Sequence, residues 1–249
     1  MQQITNRFTF GGTLLGLGIA AGLILSSMQV TKVWLHIADS QVVTVTGAAR
    51  QDVVSNQAIW SAVYSAEADN MQEAQQKLAE YTVKVNGFFN LHRITNAEIS
   101  AITIQRLKPQ AGQNDYSDPS TKKTIGYHLQ QSIRLESEDV ATVVKLEQQS
   151  VELVTQGVEL DDLGIQFNYT KTAEAKIEML ADATKDARQR AEQIASQGGR
   201  TIRSLKTARM GVFQITSRSS NETSAEGMND TSSKDKTIRA VVTASFTLD

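Results

Sequence analysis

Histidine is the side chain best suited to metal binding and to acid–base chemistry near neutral pH. The chain has three histidines, His36, His92 and His128. No two of them follow an H-x-x-x-H or H-E-x-x-H spacing, which would place both rings on one helix face around a zinc ion. A structural or surface role explains each histidine better than ligation does, so we predict no metal site.

The acidic pair Asp161 and Asp162 is the next candidate, because adjacent carboxylates can contribute to a calcium site. A calcium loop places its carboxylates at alternating positions, as in D-x-D-x-D, and this spacing is missing here. We interpret the pair as a turn that precedes a strand.

Covalent and phosphate chemistry also lack their usual motifs. The absence of cysteine excludes disulfides, thiolate zinc sites and a cysteine nucleophile. After residue 30 there is no G-x-S-x-G, no phosphate-binding G-x-x-x-x-G-K-[ST] and no G-x-G-x-x-G. We therefore predict no catalytic residues, no cofactor and no enzymatic activity. Catalysis by dispersed carboxylates stays open as an alternative, although nothing in their spacing favours it.

Composition limits the class of partner. The 25 basic and 27 acidic residues are well mixed and give a net charge of −2, so no basic surplus exists to neutralise phosphates. Nucleic acid is therefore not an expected partner. The 249 residues, with ordinary apolar and charged fractions, fit a folded chain of one or two domains.

The N-terminal segment has the pattern of a membrane anchor. Residues 8–30 include no charged side chain, and a helix of this length would span about 34 Å, enough for a bilayer core of about 30 Å. A cleaved signal peptide is the alternative, but its apolar stretch is shorter, and Ser26-Ser27-Met28-Gln29 makes a poor cleavage site. Arg7 and a very short N-terminal tail favour a cytoplasmic N-terminus.

We therefore predict a cytoplasmic tail over residues 1–7, a transmembrane anchor over 8–30 and a linker over 31–40. Residues 41–249 would form an α+β domain on the periplasmic, extracytoplasmic side of a cytoplasmic (inner) membrane. The membrane is then one expected partner.

Hydrophobic periodicity predicts the elements of that domain. The predicted strands are 42–47, 53–66, 99–107, 124–135, 164–170, 200–215 and 237–248. The predicted helices are 70–88, with Asp69 or Asn70 as its cap, 137–157, with Ser137 as its cap, and 172–197. The polar segments 108–122 and 216–236 are predicted loops, and we expect the second to be mobile and unable to bury itself.

The predicted order is β-β-α-β-β-α-β-α-β-β. Its middle is the split β-α-β order of ferredoxin-like folds, followed by a long alanine-rich helix and a C-terminal hairpin. This order predicts a mostly antiparallel sheet with helices on one face.

The alanine-rich helix is the clearest element of the pattern. Its apolar stripe is predicted as Ala173, Ile177, Leu180, Thr184, Ala187, Ala191 and Ile194. Because its last turns would bury mainly alanine, we expect its backbone to lie close to a sheet. A coiled-coil seam is the alternative, but it would need more large apolar residues.

Three stretches of the chain resemble the SIMPL-domain family. They are Val43-Thr44-Val45-Thr46-Gly47 leading into Asp52-Val53 and Ala58-Ile59-Trp60; Glu152-Leu153-Val154-Thr155-Gln156-Gly157-Val158; and Ala183, Ala187, Ala191 and Ala195, followed by Gly198-Gly199, Ile202 and Ala208-x-x-Gly211-Val212-Phe213. The anchor together with Ala-Ile-Trp is similar to a membrane-anchored branch. Ala48-Ala49 depart from the family pattern, in which a second glycine often follows Gly47.

The resemblance implies a cell-envelope protein, some relatives of which form ring- or channel-like oligomers and are linked to stress tolerance. It implies no catalytic residue. Our first hypothesis is thus a self-associating envelope scaffold or interaction protein, linked to stress, whose other envelope partners are unknown. The alternatives are a ligand-binding or enzymatic domain with a dispersed polar pocket, and a chaperone-like protein with an exposed apolar patch.

Overall fold

The computed structural model describes Gly22, Ser26 and residues 41–109, 124–220, 224 and 226–249. The chain divides into two compact units. The smaller unit comprises the chain up to Ala49, Leu180–Gly211 and Val241–Asp249, and the larger unit comprises Arg50–Met179 and Val212–Ala240.

The fold is mixed α+β. Its strands are β1 (Val42–Val54), β2 (Gln57–Ala68), β3 (Ala97–Ile99), β4 (Thr103–Leu107), β5 (Gly126–Ser137), β6 (Leu160–Asn168), β7 (Ile202–Ser217) and β8 (Asp235–Leu248). Its helices are α1 (Met71–Leu91), α2 (Val140–Gln149), α3 (Val151–Thr155) and α4 (Thr172–Gln197).

The larger unit contains a five-stranded sheet of order β3-β5-β2-β6, with β4 also paired to β5. Its pairs are antiparallel, and Trp60 of β2 lies between Leu135 of β5 and Ile165 of β6. Alternate β2 side chains, including the fully buried Trp60 and Tyr64, pack against α1 and α2 in one core. The strand order and the two helical crossovers are those of a split β-α-β unit.

Helix α1 follows its sequence pattern. The predicted stripe is buried, namely Ala74, Leu78, Tyr81, Val85 and Phe88, and Phe89 joins it. Asn70 is the cap, because its side chain accepts a hydrogen bond of 2.9 Å from the backbone N–H of Glu73.

The next segment differs from the prediction in three places. Asp139, not Ser137, caps α2, since its carboxylate accepts from both the N–H and the hydroxyl of Thr142, whereas Ser137 still belongs to β5. The predicted single helix is broken at Ser150 into α2 and α3. Asp161 and Asp162 lie within β6 rather than in a turn before it.

The smaller unit draws on a three-stranded sheet of order β1-β8-β7. The prediction that the first strand ends at Gly47 was wrong, because β1 continues through this residue to Val54. Gly47 does not form a turn but allows the backbone of α4 to pack closely on β1, since a Cβ there would lie 2.4 Å from the backbone nitrogen of Ala187.

Helix α4 has the predicted bounds and packs on the sheet, but of the predicted stripe only Ala187 and Ala191 are buried. The buried residues recur every four positions, as Ala175, Met179, Ala183, Ala187, Ala191 and Ala195. Ile177 is 73 % exposed and Ile194 is 55 % exposed. Small residues face the sheet because the backbones nearly touch, and the larger aliphatic side chains lie outside that contact.

Part of the polar segment 216–236 is packed, contrary to the prediction. Thr231 accepts a backbone hydrogen bond of 2.7 Å from Phe167, and Met228 accepts one of 2.8 Å from Ile215. Lys236 is only 1 % exposed. Its ammonium group donates to the carbonyl of Asp230 and lies 3.7 Å from the carboxylate of the same residue.

Within the described part of the chain, no helix is both long and apolar enough to cross a bilayer. The predicted anchor over residues 8–30 lies outside the described residues, except for Gly22 and Ser26. Most of the predicted loop 108–122 lies outside them as well.

Candidate interaction surface

The two described histidines occupy separate elements, and each has a local partner. His92 follows the end of α1 and packs on Phe88, with ring centroids 4.6 Å apart. His128 lies in β5, and its Nδ1 is 2.9 Å from the carboxylate of Glu67. His36 lies outside the described residues. Among the residues that the structure describes, no three histidine, aspartate or glutamate side chains form a metal-binding group.

Asp162 has a structural partner that its sequence neighbours do not reveal. Its Oδ1 accepts a hydrogen bond of 2.9 Å from the indole Nε1 of Trp60 and another of 2.8 Å from the backbone N–H of Gly164. Trp60 is completely buried, so its N–H needs an acceptor within the protein. The aspartate, itself exposed, therefore supplies the acceptor for a buried indole N–H, and neither Asp161 nor Asp162 is part of a metal-binding group.

A second polar group in the larger unit is also built into the core. The hydroxyl of Tyr64 lies 3.0 Å from the side-chain oxygen of Gln131 and 3.1 Å from that of Thr82. Burial raises the pKa of Tyr64, so its hydroxyl stays protonated at neutral pH. It holds α1 on the sheet as a hydrogen-bonding group.

The smaller unit has an open groove of about 600 Å³ between the edge of β1 and the C-terminal half of α4. It is lined by the apolar side chains of Val45 and Ile194 and by the polar or charged side chains of Thr46, Arg190, Gln193 and Gln197. The groove exists because Gly47 brings α4 onto β1, while the helix surface beyond the alanine stripe stands clear of the strand. In the sequence, the alanines of α4 signal the close approach, and the glycine inside the strand marks where it occurs.

Arg190 of the groove lining belongs to a charged contact beside the edge of β1. The carboxylate of Asp186 accepts a hydrogen bond of 2.8 Å from the backbone N–H of Ala48 and one of 2.9 Å from Nε of Arg190. The hydrogen bond from Ala48 lowers the pKa of Asp186, and the charge of Arg190 acts in the same direction against the opposing effect of burial. Asp186 thus accepts a hydrogen bond from a backbone N–H that would otherwise have no partner at the edge of the sheet.

The opposite edge of the same sheet is β7, whose residues 203–211 are all exposed. Leu205 is 48 % exposed, and Met210 is exposed to a similar degree. Arg203, Lys206 and Arg209 stand at steps of three, so their side chains alternate between the two faces of the strand. A long, exposed edge strand is a template for pairing with another chain.

Comparison with known proteins gives one match. The model of the family described as "SIMPL: Protein of unknown function (DUF541)" matches residues 43–246. No curated protein matches the chain.

Proposed function

The chain belongs to the SIMPL family of proteins of unknown function, and we propose that it is a membrane-tethered, non-catalytic interaction protein of the cell envelope that self-associates. The exposed edge strand β7 is the observation that carries this proposal. The tether is supported by the uncharged residues 8–30, and the extracytoplasmic side by the short N-terminal tail. A contribution to stress tolerance belongs to the same proposal and rests on the family resemblance alone.

The edge of β7 favours association because its outer backbone groups have no neighbouring strand among the described residues of its sheet. Edge strands are usually short, bulged or covered, because the unpaired N–H and C=O groups of an exposed edge can pair with another chain. β7 has a run of exposed residues from 203 to 211 and carries the apolar side chains of Leu205 and Met210. Its basic residues keep the free strand soluble and give it a charge that a partner can match.

Light scattering coupled to size-exclusion chromatography tests the proposal on the full chain in detergent. We expect a protein mass of at least twice the 27.2 kDa of one chain. Leu205→Asp should lower that mass, because a charge on an edge strand discourages pairing. Leu163→Asp is the matched control, since Leu163 is an exposed leucine on β6, the edge of the other sheet. A chain that stays monomeric at high concentration in detergent and in membranes would contradict the proposal.

A second candidate function is binding of a small ligand or of unfolded chains. The groove of about 600 Å³ beside β1 favours it, because its size lies in the range of ligand sites. This function does not depend on association through β7, so it is distinguished by testing whether the Leu205→Asp variant still binds small apolar ligands or suppresses aggregation of an unfolded client protein.

A further inference from the structure

The edge of β1 presents a regular row of backbone groups to the groove. The carbonyl of Gln41 accepts from the N–H of Leu248 in β8, while the N–H of Ala48 points away from β8 to Asp186. Successive residues of a strand direct their N–H and C=O groups to opposite sides. Val42, Thr44 and Thr46 therefore share the outward direction of Ala48, and their backbone groups face the open side of the sheet.

The groove beside this row has the shape of a strand-addition site. A strand edge lies along one wall and α4 along the other, and the wall positions are Val45 on the strand and Ile194 on the helix. In this arrangement an added strand gains backbone hydrogen bonds from the edge, and its alternate side chains fill the groove. Gln193 and Gln197 supply polar groups at the helix rim. The groove suits an extended segment with an apolar side chain between polar ones.

We propose that the groove between β1 and α4 accepts β7 of a second copy of this chain as an added strand. The inference rests on the proposed self-association and names the surface that performs it. β7 supplies an exposed extended segment in which Leu205 stands between Arg203 and Lys206. No other copy-to-copy contact needs to be assumed.

Charge complementarity supports this choice of occupant. No carboxylate occurs between residues 198 and 220, whereas β7 carries Arg203, Lys206 and Arg209. On the receiving side, Asp186 at the edge of β1 is already paired with Arg190, which lines the groove, while Asp182 stands one helical turn earlier on the same face of α4. Because Arg203 is paired with Asp249 of its own chain, the complementary charges are those of Lys206 and Arg209 on β7 and of Asp182 on α4, while two copies of β7 placed side by side would bring like charges together.

The directions of the strands determine the kind of assembly. In β1, Thr44 and Thr46 pair with Ser245 and Thr243 of β8, so the two strands are antiparallel. Thr201, just before β7, bonds to Asp249, just after β8, and Ser204 of β7 contacts Thr247 of β8, so β7 is antiparallel to β8 as well. β1 and β7 thus run in the same direction. If the sheet continues from one copy to the next with the same face towards α4, joining them is a parallel, head-to-tail contact. Such a contact repeats from copy to copy and closes into a ring or extends as a filament.

Cross-linking tests this pairing directly, because the natural chain has no cysteine and contributes no background. A full-length copy with Thr44→Cys is produced together with a differently tagged copy carrying Ser204→Cys or Lys206→Cys, in membranes under mild oxidation. We expect disulfide-linked dimers that contain both tags, and none when either variant is produced alone. Leu163→Cys together with Thr44→Cys is the control pair and should not cross-link.

A backbone substitution provides a second, independent measurement. Thr46→Pro removes one outward N–H without removing a bond to β8, and edge strands tolerate proline at such positions. We expect it to weaken association at least tenfold, measured by light scattering against concentration, whereas Thr46→Ala, which keeps the N–H, should change it less than twofold. Circular dichroism checks that both variants remain folded.

The results separate the two proposals. A strictly monomeric protein would overturn self-association itself. An oligomeric protein that gives only β7-to-β7 cross-links, or no β1-to-β7 cross-link at either β7 position, would overturn the pairing of β7 with the β1 groove and leave self-association intact. Equal association of the Thr46→Pro and Thr46→Ala variants would also overturn it.

Discussion

A Cβ added to Gly47 would lie 2.1 Å from the carbonyl oxygen of Ala183. The backbone of α4 therefore lies directly on the backbone of β1, and only glycine fits at the crossing point. Ala187 continues the same contact, since its own Cβ would be 2.7 Å from the added atom. This closeness fixes the position of α4 along β1 and, with it, the groove beside the strand edge.

Replacing Gly47 by alanine should therefore destabilise the smaller unit. Neither neighbouring atom can move without shifting the helix, so we expect a loss of about 1 to 3 kcal/mol or more in the free energy of unfolding. Thermal and denaturant unfolding of the full chain measure it. Gly87→Ala is the control, because Gly87 lies in helix α1 with open space around a Cβ and should gain about 0.5 to 1 kcal/mol. Equal stability of the two variants would contradict the close approach.

The same contact explains why one strand boundary and one helix face were predicted wrongly. A glycine after a run of β-branched residues usually marks a turn, yet Gly47 is inside β1 because another backbone crosses it. Hydrophobicity favoured Ile177 and Ile194 as the buried face of α4, yet the crossing admits only small side chains. The alanines of the helix predicted a close approach to a sheet, but both errors arise because the sequence does not show that Gly47 is the crossing point. Helix α1 has no such constraint, and its stripe was predicted correctly.

The candidate interaction surface was not predicted from the sequence either. The sequence shows no catalytic motif, and the surface found in the structure is made of backbone groups at strand edges, which no residue type announces. Sequence order predicted the antiparallel sheet of the larger unit, because its helices and strands have strong periodicity. It did not reveal which strands stand at the edges, since that depends on how distant segments pair.

Two neighbouring residues of α4 test which helix face is buried. Met179 is 1 % exposed, so Met179→Ala should cost about 2 to 5 kcal/mol through lost contacts and a cavity. Ile177→Ala removes a side chain of similar size from an exposed position and should change the free energy of unfolding by no more than about 0.5 kcal/mol. Chemical denaturation of both variants under identical conditions measures the difference. A larger loss for the Ile177 variant would restore the face predicted from the sequence.

The hydrogen bond between Trp60 and Asp162 predicts a specific pattern of losses. Asp162→Ala leaves the buried indole N–H without its acceptor and should cost about 1 to 3 kcal/mol. Asp162→Asn keeps a side-chain oxygen and should cost clearly less. Asp161→Ala is the matched control, because Asp161 is an exposed neighbour of Asp162 and does not form this bond. Denaturant unfolding gives the energies, and tryptophan emission should shift to longer wavelength in the alanine variant alone. An unchanged Asp162→Ala protein would show that the bond contributes nothing.

The pair formed by Lys236 and Asp230 predicts how stability depends on acid. Burial alone would raise the pKa of Asp230, but hydrogen bonds from Ser232 and Ser233 and the charge of Lys236 together lower it to about 2. A carboxyl group with a lowered pKa stabilises the fold above its ordinary value of 3.8, and this contribution is lost as the pH falls from about 4 to about 2. The difference between the ordinary pKa of 3.8 and the lowered pKa of about 2 corresponds to about 2 kcal/mol of folding stability.

Asp230→Asn should remove that part of the acid dependence. At neutral pH the variant should lose about 2 to 4 kcal/mol, because the buried ammonium of Lys236 is left without its counter-charge. Adding Lys236→Met should recover at least half of the loss, since no buried charge then remains. Unfolding curves recorded between pH 2 and pH 7 measure both effects, with the exposed neighbour Asp235→Asn as the control. An Asp230→Asn variant whose stability falls between pH 4 and pH 2 as steeply as that of the natural chain would show that another carboxyl group is responsible.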